Sequence, residues 1–344
     1  MIGNESVPAI RTTPESLDLQ ALFAQMRDAG CTHVIMEVSS HAIALERVGG
    51  VIYDVAAFTN LTEDHLDFHE TMDNYCDTKG ILFERSWKQV ANRDDAWFER
   101  MCEHAKGKVL ATSVRTQEGL HAENALLLSD GIRFTAVYED QQADVKLAIP
   151  GKFTVYNALT VLGCALQLGI SLQAAAAALE SAQGVKGRVE VVPTPGKPYT
   201  VLIDYAHTPD GLENVLSSVR GFCKGRLISV FGCGGDRDPI KRPIMGRIGV
   251  ELSDIAIITS DNPRTEDPMA IISDILKGVD AAKEKHYVIE NRPAAIRLAM
   301  DIAQKDDIIV LAGKGHETYQ EICGVKHHLD EREVVAAYLE ETRG

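Results

Sequence analysis

The chain has 344 residues, and at roughly 150 residues per domain that suggests about two domains. A composition of 45% hydrophobic and 25% charged residues is that of a globular protein and excludes a disordered or fibrous chain. The 35 Lys and Arg against 50 Asp and Glu leave a net charge of −15, which repels nucleic acid and anionic membrane but still allows anionic small substrates at a local basic cluster or metal.

No run of about 18 apolar residues exists, so no transmembrane helix is expected. The opening MIGNESVPAIRTTPES has no apolar core of a signal peptide, and nothing in it suggests secretion. Seven cysteines, an odd number with no C-x-x-C pair, argue against a zinc ribbon or disulfide framework and fit a reducing cytosol best.

In chain order, THVIMEVSS (32–40) and DVAAFTNL (54–61) read as buried strands, and TMDNYCDTKGILFERSW (71–87) as a helix. QVANRDD (89–95) and KVLATSV (108–114) look like further strands. Alternation from Ala125 to Ile149 around Asp130-Gly131 signals a β-hairpin. Two helices follow, Phe153 to Leu168 and Ser171 to Ala182, the second with Ser171 as N-cap. The Gly- and Pro-rich stretch GVKGRVEVVPTPGKP (184–198) is the natural domain boundary, giving domains 1–188 and 189–344.

Beyond it, VLIDYA (201–206), RLISVFG (226–232), DIAIITS (254–260), HYVIE (286–290) and DIIVLAG (307–313) are continuous apolar strands. Helical patterns near 209–222, 241–252, 267–282, 292–304 and 332–342 alternate with or follow them. Such alternation predicts an α/β doubly wound domain, a parallel sheet covered on both faces.

In that architecture ligands bind outside the carboxyl ends of the strands. Four polar clusters follow such ends: Asp204-Tyr-Ala-His207, Gly232-Cys-Gly-Gly-Asp-Arg237-Asp, Asp261-Asn-Pro-Arg264 and Gly313-Lys-Gly-His-Glu317. Each alone reads equally as a tight turn with a helix cap. Four on one edge, each turn mixing polar and charged groups, point to a site. None has G-x-G-x-x-G spacing, so a nicotinamide cofactor is not indicated. In the first half, Glu37 ends one predicted strand, and Asn60, Asp64 and His65 follow the next. A carboxylate and an imidazole at neighbouring strand ends can share Mg²⁺ or Mn²⁺ beside phosphate, although two helix-cap residues near a turn would look the same. Lys79 lies in the next helix with Tyr75 one turn earlier, a place where lysine is usually solvated.

Taken together, EVSSHAIALERV, FTNLTEDHLDFH, the Lys79 helix, DYAHTPD, FGCGGDRD–KRPIMG, DNPRTEDP and AGKGHETYQ resemble the Mur ligases in order and spacing, from about Thr12 to the C-terminus. The resemblance is greatest to the branch that adds 2,6-diaminopimelate to the peptidoglycan stem peptide, and DNPR followed by GKGHE is its most specific part. It implies a central ATPase-type domain, N-terminally truncated, followed by a C-terminal Rossmann-like domain. By the same resemblance, Glu37 and His65 match magnesium ligands, and Lys79 matches a lysine that becomes carbamylated and so turns from cation to anion. Thr12, Thr13, Ser39 and Arg47 match contacts to UDP-MurNAc-L-Ala-D-Glu, while Asn157 and Arg188 match nucleotide-side positions and Asp204 is expected near the ATP ribose. Arg237, Asp261, Asn262, Arg264, Gly313 and Glu317 match a pocket for meso-diaminopimelate, and His207 is a candidate proton acceptor. The reaction implied is ATP- and Mg²⁺-dependent amide formation by a cytoplasmic monomer.

A guanidinium can grip the carboxylate that distinguishes diaminopimelate from lysine through two parallel bonds, which is the part expected of Arg264. The competing expectation is a turn salt bridge from Arg264 to Glu266 or Asp267. Against the family pattern, no G-x-x-x-x-G-K-[ST] phosphate loop occurs in the sequence, Thr154 stands where Asn is usual, and Lys186 where Pro usually precedes Gly-Arg. These departures predict a fragment with little ligase activity alone, or else a ligase-derived binding or scaffolding protein. DNPR disfavours a folate polyglutamate ligase.

Overall fold

Apolar strands separated by capped helices build two main sheets in the computed structural model, which describes residues 2–3, 5, 7, 11–62, 64–128, 130–182, 184–280 and 286–342. The elements of the first half are α1 (Ser16–Asp28), α2 (Ser40–Ala44), β1 (Tyr53–Phe58), α3 (Leu66–His69), α4 (Met72–Glu84), β2 (Ser86–Asn92), α5 (Phe98–Glu103), β3 (Leu110–Ser113), β4 (Leu120–Leu128), β5 (Gly131–Tyr138), β6 (Gln141–Leu147), α6 (Lys152–Gln167) and α7 (Leu172–Leu179). Those of the second are β7 (Glu190–Val192), β8 (Thr200–Asp204), α8 (Pro209–Arg220), β9 (Leu227–Phe231), α9 (Lys241–Leu252), β10 (Ile255–Ile258), α10 (Pro268–Leu276), β11 (His286–Val288), α11 (Arg292–Ile302), β12 (Ile308–Ala312), β13 (Tyr319–Ile322), β14 (Val325–His328) and α12 (Glu331–Glu341). Two compact units result. One comprises residues 1–123, 135–144 and 156–177, the other 124–134, 145–155 and 178–344.

The first sheet runs β1-β2-β3-β4-β5-β6, with β1, β2 and β3 parallel. Ala56, Phe58, Tyr75, Cys76, Phe83, Ala91, Phe98 and Met101 form a core between its first strands and α4 and α5. Two expectations fail here. Residues 32–40, expected as a buried strand, form none: 32–39 lie outside any helix or strand, Ser40 opens α2, and Ile35 is 98% exposed. A strand needs a ladder partner; β1 is the edge of this sheet and pairs with β2, so apolar pattern alone does not order 32–40 into it. The single hairpin expected over 125–149 is a three-stranded meander, β4, β5 and β6. Asp130-Gly131 makes its first turn, while the second falls at Glu139-Asp140, with Glu139 at φ +53° and no glycine to announce it.

The second sheet runs β11-β10-β9-β12-β8-β7, parallel except for the edge strand β7, which the sequence did not reveal. Its two faces alternate residue by residue. Leu202, Leu227, Phe231, Ala256, Ile258, Ile308 and Val310 join one core with side chains of α8, α9 and α10. Val201, Ile203, Ile228, Val230, Ile257, Ile309 and Leu311 join the other with α11 and α12. Each buried Leu, Ile or Val contributes at most about 1.5–3 kcal/mol, so the doubly covered sheet is the stable centre of this unit. The helices start where the sequence places caps. Thr208 accepts from Gly211 N, Asp267 from Met269 N and Ala270 N, Asn291 from Ala294 N, and Ser171 from Ala174 N. Helix α10 ends at Leu276, short of the 282 expected, and residues 281–282 lie outside the described residues.

Candidate functional site

The order of the second sheet brings the ends of β8, β9, β10 and β12 together, because β12 inserts between β8 and β9. The four polar clusters of the sequence follow those ends, and hydrogen bonds tie them into one rim. Gly313 N donates to Asp204 O at 3.0 Å, Gly235 N to Asn262 O at 2.9 Å, and Asn262 Nδ2 to Glu317 Oε2 at 2.9 Å. Gly235 is required: a Cβ there would stand 2.0 Å from Pro263 O.

Arg264 holds a left-handed backbone, φ +52°, and its Nη1 donates to Gly235 O at 2.7 Å while Nε lies 3.6 Å from Glu321 Oε2. The turn salt bridge to Glu266 or Asp267 does not form, since Glu266 pairs with Arg242 at 2.7 Å and Asp267 caps α10. Arg237 is exposed, with Nη1 on Asp236 O. A Cβ on Gly234 would meet Arg264 Nη1 at 2.9 Å and Arg237 Cγ at 3.9 Å, so both arginines flank that glycine. Gly313, at φ +119°, lies against Asp261, with 3.3 Å between its Cβ position and Oδ2.

Beneath the rim lies a charge cluster that the sequence reading left unassigned. Lys314 is fully buried, and its Nζ donates to Tyr319 O at 2.7 Å and to Asn262 Oδ1 at 3.0 Å, with Asp261 Oδ1 at 3.1 Å and Glu317 Oε2 at 3.5 Å. Arg292 and Glu331 pair behind it, both fully buried. The β13–β14 hairpin, also unforeseen, turns at Cys323-Gly324, both at positive φ. It docks on the rim through Arg264 N to Glu321 O at 3.0 Å and Gln320 Nε2 to Asp261 O at 2.6 Å. The signal available was the pair of glycines flanking Lys314, which let the backbone fold around its side chain.

Asp204 sits buried at the end of β8. Burial pushes its carboxyl up, against the pull of the Val189 and Ala206 amides, each at 2.8 Å, and of Arg188. Arg188 is exposed and lies over the Tyr205 ring at 5.3 Å. His207 is exposed, with Nδ1 2.8 Å from Tyr205 O; a carbonyl only accepts, so Nδ1 carries a proton, and in the neutral ring Nε2 is the acceptor. Asn157 is exposed on α6 of the other unit.

In the first unit, Lys79 is partly buried on α4 with its ammonium 5.1 Å from the Tyr75 ring centre, and burial lowers its pKa against the opposing field of Asp64. The solvated lysine expected from helix statistics is therefore not found. His65, at φ +55°, stands edge-on to Tyr75 at 6.1 Å and to His41 at 4.9 Å. Glu37 is exposed, and its side chain makes no hydrogen bond or ion pair among the described residues. Among the described residues no three of His, Cys, Asp and Glu gather where they could hold a metal. A carboxylate is an oxygen ligand of the kind Mg²⁺ takes beside waters and substrate phosphates, whereas an imidazole is a softer donor, so these two side chains alone do not make a cation site. Thr13 is buried, donating to Glu37 O and accepting from Ser39 N, both at 3.0 Å. Ser39 caps α2, Thr12 is exposed, and Arg47 Nε lies 3.2 Å from Glu15.

Residues 1–165 match the Mur ligase middle domain, and residues 187–315 match the Mur ligase, glutamate ligase domain. The chain is 50% identical over 341 residues to the UDP-N-acetylmuramoyl-L-alanyl-D-glutamate–2,6-diaminopimelate ligase of Clostridium botulinum, covering 99% of this chain and 70% of that protein. It is 50% identical over 343 residues to the enzyme of the same name from Clostridium tetani, with the same coverage. A solved structure bearing that name superposes with a TM-score of 0.75 at 34% identity, covering 97% of this chain and 69% of that one.

Proposed function

We propose, from the premise that this chain belongs to the Mur ligase family, that it carries the diaminopimelate-adding chemistry named in its relatives. The substrates would be UDP-MurNAc-L-Ala-D-Glu, meso-diaminopimelate and ATP, and the product a stem tripeptide for peptidoglycan, made in the cytoplasm. The observation that carries this reading is Arg264, presented at the rim beside Arg237 and above a buried anionic cluster.

In this reading the D-glutamyl γ-carboxylate takes the γ-phosphoryl group of ATP, giving an acyl phosphate and ADP. An amine of diaminopimelate attacks the acyl carbon, and inorganic phosphate leaves as the amide forms and a proton departs. His207 Nε2 is the candidate acceptor for that proton. At its far end, diaminopimelate offers a carboxylate and an ammonium together. Arg264 and Arg237 supply guanidinium donors for the carboxylate, and Glu317 a carboxylate for the ammonium. Glu37 and His65 would hold one Mg²⁺, a carbamylated Lys79 would be an anion able to hold a second, and Mg²⁺ would neutralise charge on the transferring phosphoryl group. Thr12, Thr13, Ser39 and Arg47 would face the nucleotide-sugar substrate, and Asn157, Arg188 and Asp204 the ATP.

Turnover requires groups that hold the ATP phosphates, and residues 1–344 contain no glycine-lysine phosphate loop, so the direct test on these residues is binding. Calorimetry should show meso-diaminopimelate bound more tightly than L-lysine, because lysine leaves Arg264 unmatched. Equal affinities would overturn the assignment of the pocket.

A further inference from the structure

Lys314 has no part in the reading above, yet no ammonium could be more fully engaged. Its side chain is entirely removed from solvent, and an ammonium has three protons to donate. It donates to Tyr319 O at 2.7 Å, to Asn262 Oδ1 at 3.0 Å and to Glu317 Oε2 at 3.5 Å, and it pairs by charge with Asp261 Oδ1 at 3.1 Å. Three of these four partners belong to residues expected to line the amino-acid pocket. A lysine buried to this depth without such partners would be strongly unfavourable, so the site is built around its charge.

The consequence for the rim follows from the donor inventory. Lysine has no acceptor, so the Asn262 amide must turn its oxygen inward, where Glu321 N also donates to it at 2.9 Å. That orientation sends Nδ2 outward onto Glu317 Oε2 at 2.9 Å. Glu317 is thereby held at one oxygen from two sides, by the Asn262 amide and by the Lys314 charge. Its Oε1 makes no hydrogen bond among the described residues and is left for a ligand. The formal charges agree: Asp261, Glu317 and Glu331 against Lys314 and Arg292 leave one negative charge uncompensated in the cluster, of which Glu317 alone is partly exposed.

We infer that Lys314 is the positioning residue of the ammonium subsite: through Asn262 it fixes Glu317 with one carboxylate oxygen presented to the distal ammonium of the diamino acid. The inference rests on the diaminopimelate reading and assigns Lys314 a role through its neighbours, not a contact with substrate. It separates the two groups at the far end of the ligand. The arginines would hold the carboxylate independently of Lys314, and Glu317 would hold the ammonium only with it.

The test compares meso-diaminopimelate with 2-aminopimelate, which keeps both carboxylates and lacks one amine, by calorimetry on residues 1–344. The wild type should prefer diaminopimelate. Lys314→Met should weaken diaminopimelate by about tenfold, the size of one charge-assisted hydrogen bond, and leave 2-aminopimelate at its wild-type affinity. Lys314→Gln, which keeps a donor and loses the charge, should fall between. General damage to the fold would weaken both ligands alike, and that result, or an unchanged diaminopimelate affinity, overturns the inference. Should neither variant fold, the ¹⁵Nζ resonance of Lys314 in the unmodified chain decides. It should shift on adding diaminopimelate and not on adding 2-aminopimelate, and equal shifts overturn the inference. A wild type that binds neither ligand removes the diaminopimelate reading itself, and this inference with it.

Discussion

Arg292 and Glu331 form an ion pair removed from bulk solvent, with Nε 2.8 Å from Oε1 and side chains 0% and 1% exposed. Arg292 Nη2 also donates to Ala312 O at 2.7 Å, which joins α11 and α12 to the last residue of β12, next to the Gly313 turn. Such a pair is expensive to break from one side, because the surviving charge is left buried and alone. Arg292→Met should therefore destabilise the chain by about 3–5 kcal/mol in urea unfolding, whereas Arg292→Met with Glu331→Leu should cost less than the single change. A double variant no more stable than Arg292→Met alone would show that the pair is not the source of the loss.

Arg264 reaches Gly235 O with Nη1 and faces Glu321 with Nε, which orients the fork of the guanidinium at the rim. A lysine would carry the same charge without the two parallel donors. Arg264→Lys should weaken meso-diaminopimelate by about tenfold or more and leave L-lysine affinity unchanged, collapsing the selectivity between them. Competition calorimetry measures both, and retained selectivity would remove Arg264 from the carboxylate role.

How much of this was legible beforehand differed between the two halves. In the second sheet, continuous Val, Ile and Leu runs alternating with helical patterns mark strands buried on both faces, so β8, β9, β10 and β12 and the four loops at their ends were readable from the sequence, while the edge strand β11 was placed but is exposed at Tyr287 and Val288. The hydrogen bonds that join those loops were not, because Lys314 and Arg292 look like any charged residues until the fold buries them. In the first half the pattern misled at 32–40, where THVIMEVSS has the composition of a strand but no ladder partner. The turn at Glu139-Asp140 escaped because its residues carry no conformational signature, unlike Asp130-Gly131.

Gly187 shows why the 184–198 stretch is rich in glycine. It has φ +75°, and a Cβ there would stand 2.3 Å from both Gly315 C and His316 N. Neither backbone atom belongs to a side chain that could swing away. Gly187→Ala should cost about 1–3 kcal/mol from overpacking, with the positive-φ strain added, and should displace the loop that carries Glu317. Gly184→Ala is the control, since its Cβ would meet Ile149 at an ordinary 3.6 Å. Thermal melts of the two variants should diverge, and equal melting temperatures would contradict the packing argument.

Asp77 accepts from Arg100 Nε at 2.7 Å and Nη2 at 2.8 Å, linking α4 to α5. Those bonds, with a further one from His104, lower its pKa to about 2. A carboxyl whose folded pKa lies below its unfolded value stabilises above the unfolded value and loses that contribution as pH falls through the folded one. The loss should therefore fall between about pH 4 and pH 2. Asp77→Asn should be less stable than wild type at pH 6, and the gap should close on acidification across that window. A gap that stays constant would assign the effect to packing instead.

Lys79 is the residue whose role the resemblance changes most, from a solvated helix lysine to an anion. Partial burial over Tyr75 lowers its pKa, which raises the share of neutral amine, the form that adds carbon dioxide. The amine nitrogen bonds to the carbon and releases one proton, leaving a carbamate anion. In bicarbonate buffer at neutral pH, native mass spectrometry should find the chain heavier by one carbon dioxide, and ¹³C-bicarbonate should give one carbamate resonance. Both signals should vanish in Lys79→Ala and fall as pH is lowered, since acid protonates the amine and returns the carbamate to carbon dioxide. An equal signal in Lys79→Ala would place the modification elsewhere, and no signal in the wild type would leave Lys79 a cation beside Tyr75, unable to serve as a magnesium ligand.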